Sequence, residues 1–223
     1  MTEETSSRDR RRDTAATAAP GIGFTVAITV WKREGLLPHA LHSVLRQDEP
    51  CREIVVLSDG WSRPAAEIVA PFEAAPSGPA VRYLAVRRRR KTWGNHLRRR
   101  ALEEATSSHV VILGHDCYLY RGYLAAHRRN LGDDPGALSV VPIDYWRATY
   151  PDGRMPRRED VENAGEAEID LLCLAFPRRL ALEVGCFDEG VVRARCADYL
   201  AFDRVRRHKT PVYRGGETRA AHF

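Results

Sequence analysis

Two carboxylates mark where this chain is equipped for chemistry. Asp59 ends the run Glu53-Ile54-Val55-Val56-Leu57-Ser58-Asp59-Gly60, and Asp116 follows the run His109-Val110-Val111-Ile112-Leu113-Gly114-His115. A strand buried on both faces reads as a continuous apolar run rather than an alternating one. In open α/β sheets, ligands sit just beyond the carboxyl ends of such strands. A carboxylate placed there is costly to bury unless it meets a cation. Two strands that each deliver an Asp to one sheet edge therefore suggest a site for a metal ion and a nucleotide.

The elements that must position these residues alternate along the chain. Phe24 to Val30 reads as a buried strand, and Leu36, Leu37, Ala40, Leu41, Val44 and Leu45 follow at helical spacing. After the strand ending at Asp59, Pro64 to Phe72 reads as a short helix with Ser62 as its N-cap. Val81 to Val86 is a third strand, and Leu97 to Ala105 a helix before the strand at 109–113. Tyr120 to Leu131 is expected as a helix and Leu138 to Ile143 as a strand. Strands and helices in this order imply βαβ units and a parallel sheet covered by helices. Beyond Tyr145 the pattern breaks: Pro151 to Glu168 is polar and is expected as a long exposed loop, a functional lid or disordered. Ile169 to Phe176 reads as a strand, Pro177 to Val184 and Cys196 to His208 as helices, and Thr210 to Tyr213 as a final strand.

Composition narrows the partners. The 223 residues include 43% hydrophobic ones, enough for a sizeable core, and the formal net charge is +5. That balance suits an anionic ligand and is too small to demand nucleic acid. Five cysteines, an odd number without a C-x-x-C pair, argue against a disulfide framework or structural zinc and fit a reducing cytosol, so a cytoplasmic location is expected. No apolar stretch approaches the roughly 20 residues of a membrane span. Residues 1–22 are expected as a disordered polar tail, with Arg8, Arg10, Arg11 and Arg12 and no signal-peptide core.

Taken in order, these pieces resemble a family 2 glycosyltransferase of the GT-A fold. Val26 to Trp31 and Leu41 to Gln47 are similar to the family's first strand and helix. Glu53 to Ser62 resembles the stretch whose Asp holds the nucleotide. Trp93-Gly94-Asn95-His96-Leu97-Arg98 looks like its Gly-to-Arg helix start, and Leu113-Gly114-His115-Asp116 lies where its Asp-x-Asp metal motif belongs. Val184 to Glu189 and Ala197-Asp198-Tyr199 resemble the acceptor-side motifs. The resemblance implies a Rossmann-like, doubly wound, mostly parallel sheet flanked by helices. It implies one domain over residues 23–223, with a nucleotide-binding half at 23–118 and an acceptor-binding half at 119–223. Two positions depart from the family: Gly114 replaces the first Asp of the metal motif, and Arg99 stands where Asn is common.

The same resemblance implies roles for the site residues. Asp116 is the first choice as ligand to Mn²⁺ or Mg²⁺, against a reading as cap of the helix near Tyr120. His222 is a second metal ligand or an ordinary surface histidine. His115 shapes the turn within the nucleotide-sugar site and is not a ligand. Asp59 accepts hydrogen bonds from the base or ribose, or else serves the Ser-Asp-Gly turn. The backbone at Thr29, Val30 and Trp31 lines the nucleoside pocket, with Trp31 alternatively core; Arg33 and Gly94 belong to the same site. Arg98 pairs with the diphosphate or braces a pocket carboxylate, or is a solvated helix residue. Asp198 is the general base, or a helix-start Asp favoured by the dipole. Asp188 and Glu189 fix a turn and contact acceptor hydroxyls. The run Arg87-Arg88-Arg89-Arg90-Lys91 attracts an anion or forms a solvated loop near the donor.

The implied activity is inverting, divalent-metal-dependent hexosyl transfer from a UDP-, dTDP- or GDP-sugar to a small-molecule, glycan or secondary-metabolite hydroxyl. A homodimer stays open, because oligomeric state is not written in the chain. Three other readings compete. A sugar-nucleotide nucleotidyltransferase wants a Gly-rich basic loop after the first strand, and Trp31-Lys32-Arg33-Glu34-Gly35 matches it poorly. A nucleic-acid-binding module uses the arginine clusters and leaves both strand-end Asp residues idle. A degenerate, non-catalytic relative would account for Gly114.

Overall fold

The computed structural model describes residues 21–132, 134, 136–145, 169–194, 196–214 and 219–222, with Asp144, Tyr145 and His222 described by their backbone alone. β1 (Phe24–Val30) leads through a 3-10 turn (Glu34–Leu36) into α1 (Leu37–Leu45). β2 (Glu53–Asp59), α2 (Arg63–Glu73), β3 (Ala80–Val86), α3 (Asn95–Glu104) and β4 (His109–Gly114) continue the alternation. Next come β5 (Cys117–Leu119), α4 (Tyr123–Leu131), β6 (Ser139–Val140) and β7 (Asp144–Tyr145). A second 3-10 turn (Leu171–Cys173) opens β8 (Leu174–Pro177). Three helices come after it, α5 (Arg178–Glu183), α6 (Glu189–Val192) and α7 (Ala197–Arg206), and then β9 (Ala220–His222).

The main sheet has six strands in the order β3-β2-β1-β4-β8-β6. β1 pairs in parallel with β2 on one side and β4 on the other, and β2 pairs in parallel with β3. β8 runs antiparallel to both β4 and β6. The fold is therefore mixed α/β with a mostly parallel sheet flanked by helices, as expected. Its inner strands are continuous apolar runs because helices cover them: α1 packs on β1, α2 on β3, and α3 on β1, β2 and β4. Phe24, Val26, Ile28, Ile54, Leu57, Val111 and Leu113 are buried at the centre. β3, at the edge, is only half-buried.

Strand order reverses at β1. Register places Thr29 between Leu57 of β2 and Gly114 of β4, so three strands end at one level. Ser58 and Asp59 stand at the same edge. The expected cap of α2 is present: the Ser62 hydroxyl accepts from Ala65 N–H at 3.4 Å, with Pro64 in the first turn.

Several expected elements differ. The helix expected from Tyr120 starts at Tyr123, because Cys117–Leu119 extends and pairs with β9, and Gly122 turns in a left-handed conformation. The strand expected at 138–143 shortens to Ser139–Val140. The run Ile169–Phe176 splits, because Asp170 Oδ1 accepts from Leu172 N–H at 2.6 Å and bends the chain before β8. Of the strand expected at 210–213, an isolated bridge from Val212 to Ser139 is formed. A second sheet, β5-β9-β7, was not foreseen. The tail reading gives way at its end, where Ile22 is buried and its carbonyl accepts from Arg128. Residues 1–20 and the loop at 151–168 lie outside the described residues. Among the described residues, no helix is long and apolar enough to cross a membrane.

A buried histidine pair underlies β4. His109 and His127 are fully buried, with His109 Nε2 3.0 Å from the Ala137 carbonyl and His127 Nδ1 2.8 Å from Ser139 Oγ. Burial pulls His109 down to about 4, and burial together with His109 pulls His127 down to about 3. Both are neutral in the fold and bind protons more readily once unfolded. Their stabilisation is complete above the ordinary histidine pKa and is lost as pH falls towards the folded values. Each costs roughly 1.4 kcal/mol per pH unit between about pH 6 and pH 4. Urea unfolding from pH 7 to pH 5 should show a shallower pH slope for His127→Gln than for wild type; parallel slopes would sink this assignment.

Candidate active site

A cleft of about 430 Å³ opens at the point where strand order reverses, lined by residues from β1, β4 and the α3 and α7 starts. Its walls include Thr29, Val30, Trp31 and Arg33 from the β1 end, with Gly114, His115 and Asp116 from the β4 end. Gly94, Arg98 and Asp198 close it from the helical side. A second cavity of about 540 Å³ contains Asp59 and the basic residues Arg88 to Lys91, and a third of about 260 Å³ joins Asp59 to Trp61 and Ser62. Trp31 and Lys32 line all three, so they form one continuous groove. Asp59 and Asp116 thus lie along one rim, beyond the ends of β2 and β4, with β1 between those strands.

Each carboxylate meets a basic side chain. Arg33 Nη2 lies 3.0 Å from Asp116 Oδ2. Asp59 Oδ1 stands 3.1 Å from His96 Nε2, and Arg88 donates to the Asp59 carbonyl at 3.0 Å. Burial pulls the His96 pKa down, and Asp59 beside it pulls the other way. His96 has no sequence signal beyond its place in the first turn of α3, and sequence reasoning missed it. Asp116 does not cap α4, whose N-cap is Gly122.

His115 ties the turn after β4 to the end of β1. Its N–H donates to the Thr29 carbonyl at 3.1 Å, and its Nδ1 lies 3.3 Å from the same oxygen. The β4 turn is thereby pinned to β1. Its Nε2 is buried without a hydrogen-bond partner.

Arg98 braces a carboxylate: its Nη1 contacts Asp198 Oδ1 and donates to Asn95 Oδ1 at 2.9 Å. Asp198, at the start of α7, has its pKa raised by burial, with Arg98 pulling down and Asp170 pushing up. Asp170 lines the cleft and was not foreseen. Asp188 and Glu189 are not among the residues lining the groove. Asp188 caps α6 through Val191 N–H and pairs with Arg204, while Glu189 binds Arg89 and Arg193. The His222 side chain lies outside what is described; its backbone pairs with Cys117, next to Asp116.

The groove is strained and aromatic. Lys32, Arg33, Lys91 and Trp93 adopt left-handed backbone conformations, the four non-glycine residues of the described chain that do. All four border the groove. Such residues cost about 1–3 kcal/mol each and cluster at functional sites. Trp31, Trp61 and Trp93 are 57%, 70% and 59% exposed beside it, so Trp31 is not core.

A family model, Glycosyl transferase family 2, matches residues 25–177. The chain belongs to glycosyl transferase family 2. No curated protein matches it. Among solved structures, S. aureus TarS aligns with TM-score 0.70 at 13% identity over 90% of this chain and 36% of that one. TarS 1–349 in complex with UDP aligns with TM-score 0.68 at 13% identity, over 90% of this chain and 60% of that one. The mannosyltransferase PcManGT from Pyrobaculum calidifontis, in complex with GDP-Man and Mn²⁺, aligns with TM-score 0.58 at 22% identity, over 86% of this chain and 53% of that one. The chain therefore spans between about a third and two thirds of the length of these structures. At these identities the likeness shows the GT-A fold of this family 2 member and no more.

Because Trp31 lines every part of the groove, titration with UDP or GDP should quench tryptophan emission, and Trp31→Phe should remove most of the change. Calorimetric binding without any change in emission would place the nucleotide elsewhere.

Proposed function

We propose that this family 2 member transfers a sugar, of hexose type, from a nucleoside-diphosphate donor to an acceptor hydroxyl with inversion at the anomeric carbon. The observation that carries the reading is the single groove at the strand-order reversal, with Asp59 at one end and Asp116 and Asp198 at the other. Ligand binding at such a crevice is the rule for open α/β sheets. Asp59 accepts from the ribose or base of a UDP-, dTDP- or GDP-sugar, and Trp31 is exposed enough to offer a stacking face. Lys32, Arg33 and the loop of Arg88 to Lys91 draw the anionic donor into the groove.

Asp116 is the residue that would hold Mn²⁺ or Mg²⁺, with His222 as a second ligand by its strand position. Among the described residues no three His, Cys, Asp or Glu side chains converge. The Asp116 carboxylate is the hard oxygen donor such a cation prefers, and the ion would supply charge neutralisation for the leaving diphosphate. Gly114 suits this arrangement: a Cβ there would come within 2.7 Å of Asp116 Oδ1.

Asp198 takes the acceptor's hydroxyl proton as that oxygen attacks the anomeric carbon. The acceptor, a small molecule, glycan or secondary metabolite, enters from the 119–223 half, which supplies this base. Five unpaired cysteines support a reducing compartment, the cytoplasm. The arginines argue against a nucleic-acid surface, because many are tied to acids on their own helices: Arg63 to Glu67, Arg99 to Glu103 and Arg179 to Glu183.

A panel of UDP-, dTDP- and GDP-sugars, with and without Mn²⁺, tests the reading by release of the nucleoside diphosphate. Asp198→Asn should bind the donor normally and lose turnover by about 10²–10⁴-fold. Asp116→Asn should weaken nucleotide binding in Mn²⁺ more than in chelator. A wild-type protein that binds no nucleotide and turns over no donor would refute it.

A further inference from the structure

α3 reaches Asp59 through one side chain. His96, in the first turn of that helix, is buried, and its Nε2 faces Asp59 Oδ1 at 3.1 Å. Its other ring nitrogen, Nδ1, lies 2.8 Å from Thr92 Oγ1, and the Thr92 hydroxyl also stands 2.9 Å from the Arg89 carbonyl. Thr92 is buried, although Lys91 and Trp93 on either side of it are exposed. Both of those neighbours adopt left-handed backbone conformations, with φ 58° and 47°. The strained loop thus turns one hydroxyl inward onto the histidine.

Proton positions along this chain follow from its two ends. An ionised carboxylate only accepts, and a neutral imidazole carries one N–H and one lone pair. A lone pair at Nε2 would stand against the Asp59 carboxylate, two acceptors facing each other in a buried place. A proton at Nε2 removes that repulsion, and the Thr92 hydroxyl then gives its own proton to Nδ1. If the ring takes up a second proton, Nδ1 donates to Thr92 Oγ1 and the hydroxyl proton goes to the Arg89 carbonyl. Nε2 carries a proton in both forms. We propose that His96 is a positioning residue for nucleotide recognition: its Nε2–H, set by Thr92, holds Asp59 Oδ1 and leaves Oδ2 as the acceptor for the nucleoside.

Oδ2 lies on the side of Arg88, 3.8 Å from its Nε, and Arg88 lines two parts of the groove. With one oxygen engaged, the carboxylate presents the other in a single orientation, as a preorganised binding group must. Burial and Arg89 pull the His96 pKa down while Asp59 pulls it up, with a net shift downwards, so the neutral ring prevails at neutral pH. The inference rests on the nucleotide-sugar reading of the groove, and His96 acts through Asp59 alone.

Gln carries an N–H where His has Nε2, and Asn carries one where His has Nδ1. In calorimetry with UDP or GDP, whichever the wild type binds more tightly, His96→Gln should keep wild-type affinity, and His96→Asn should lose about 10-fold. Inorganic pyrophosphate, which has no nucleoside, should bind all three proteins alike. Long-range ¹H–¹⁵N spectra of the ligand-free wild type at neutral pH should show the His96 proton on Nε2, a readout that needs no variant to fold. An Nδ1–H tautomer would overturn the proposal, and so would Gln and Asn variants with equal affinity for the nucleotide. A wild type that binds no nucleoside diphosphate overturns the glycosyl-transfer reading instead, and the tautomer still decides whether His96 serves Asp59.

Discussion

Everything at this site depends on β1 being hydrogen-bonded in parallel on both sides. β2 grips it through residues 25–30 and β4 through residues 24–29. A central strand with two parallel neighbours cannot be followed by connections that close over it, because the chain leaves towards β2 in one half and arrives at β4 from the other. The gap beyond its carboxyl end is a consequence of topology, and the loops that leave the three strand ends border it. Thr29, Asp59 and Asp116 owe their shared position to this pairing and to nothing local. The loops that border the gap pass through left-handed conformations at Lys32, Arg33, Lys91 and Trp93, a strain the buried core of β1, β2 and β4 offsets.

The two edges of the sheet treat charge differently. At the amino edge, Glu53 is buried, and its Oε1 accepts from Thr25 Oγ1 at 2.7 Å, Thr106 N–H at 2.6 Å and Thr106 Oγ1 at 2.7 Å. Burial pushes the Glu53 pKa up, but these bonds and Arg82 outweigh it and the net shift is down. A charge so fully satisfied holds structure together. At the carboxyl edge, Asp59 Oδ1 faces His96 Nε2 at 3.1 Å, and His115 Nε2 is buried without a hydrogen-bond partner. Native interiors leave few such groups, and those they leave call for a reason. A polar atom fixed in place and left open at the cleft wall, as His115 Nε2 is, suits preorganised binding.

How much of this the residues announced depends on range. β1, β2 and β4 were legible because burial on both faces makes an apolar run, and Ser62 and Pro64 marked α2 by local chemistry alone. The strand-end carboxylates were legible for the same reason, since an Asp after such a run stands out. β5 and β9 were not: three-residue strands paired between Cys117 and His222 carry no periodicity. Asp170 hid inside an apolar run that read as strand, and its capping of Leu172 is what breaks that run. Trp31 could be core or groove on sequence grounds; exposure decides it, and three exposed indoles along one groove form a pattern that separate positions do not disclose.

Gly114 sets the balance of charge at the carboxyl edge. A metal motif with one carboxylate removed reads from sequence as weakened. In the fold, the space beside the Gly114 Cα is taken by Asp116 Oδ1 and by Cys117 Sγ, 3.1 Å from where a Cβ would lie. A side chain at 114 would displace the Asp116 carboxylate from its pairing with Arg33. The glycine therefore trades a second negative charge for a carboxylate held in one orientation beside a guanidinium. With one carboxylate fewer, the cations Arg33 and Lys32 weigh more in this part of the cleft, a field suited to an anionic ligand. The groove's electrostatics at this end follow from that exchange.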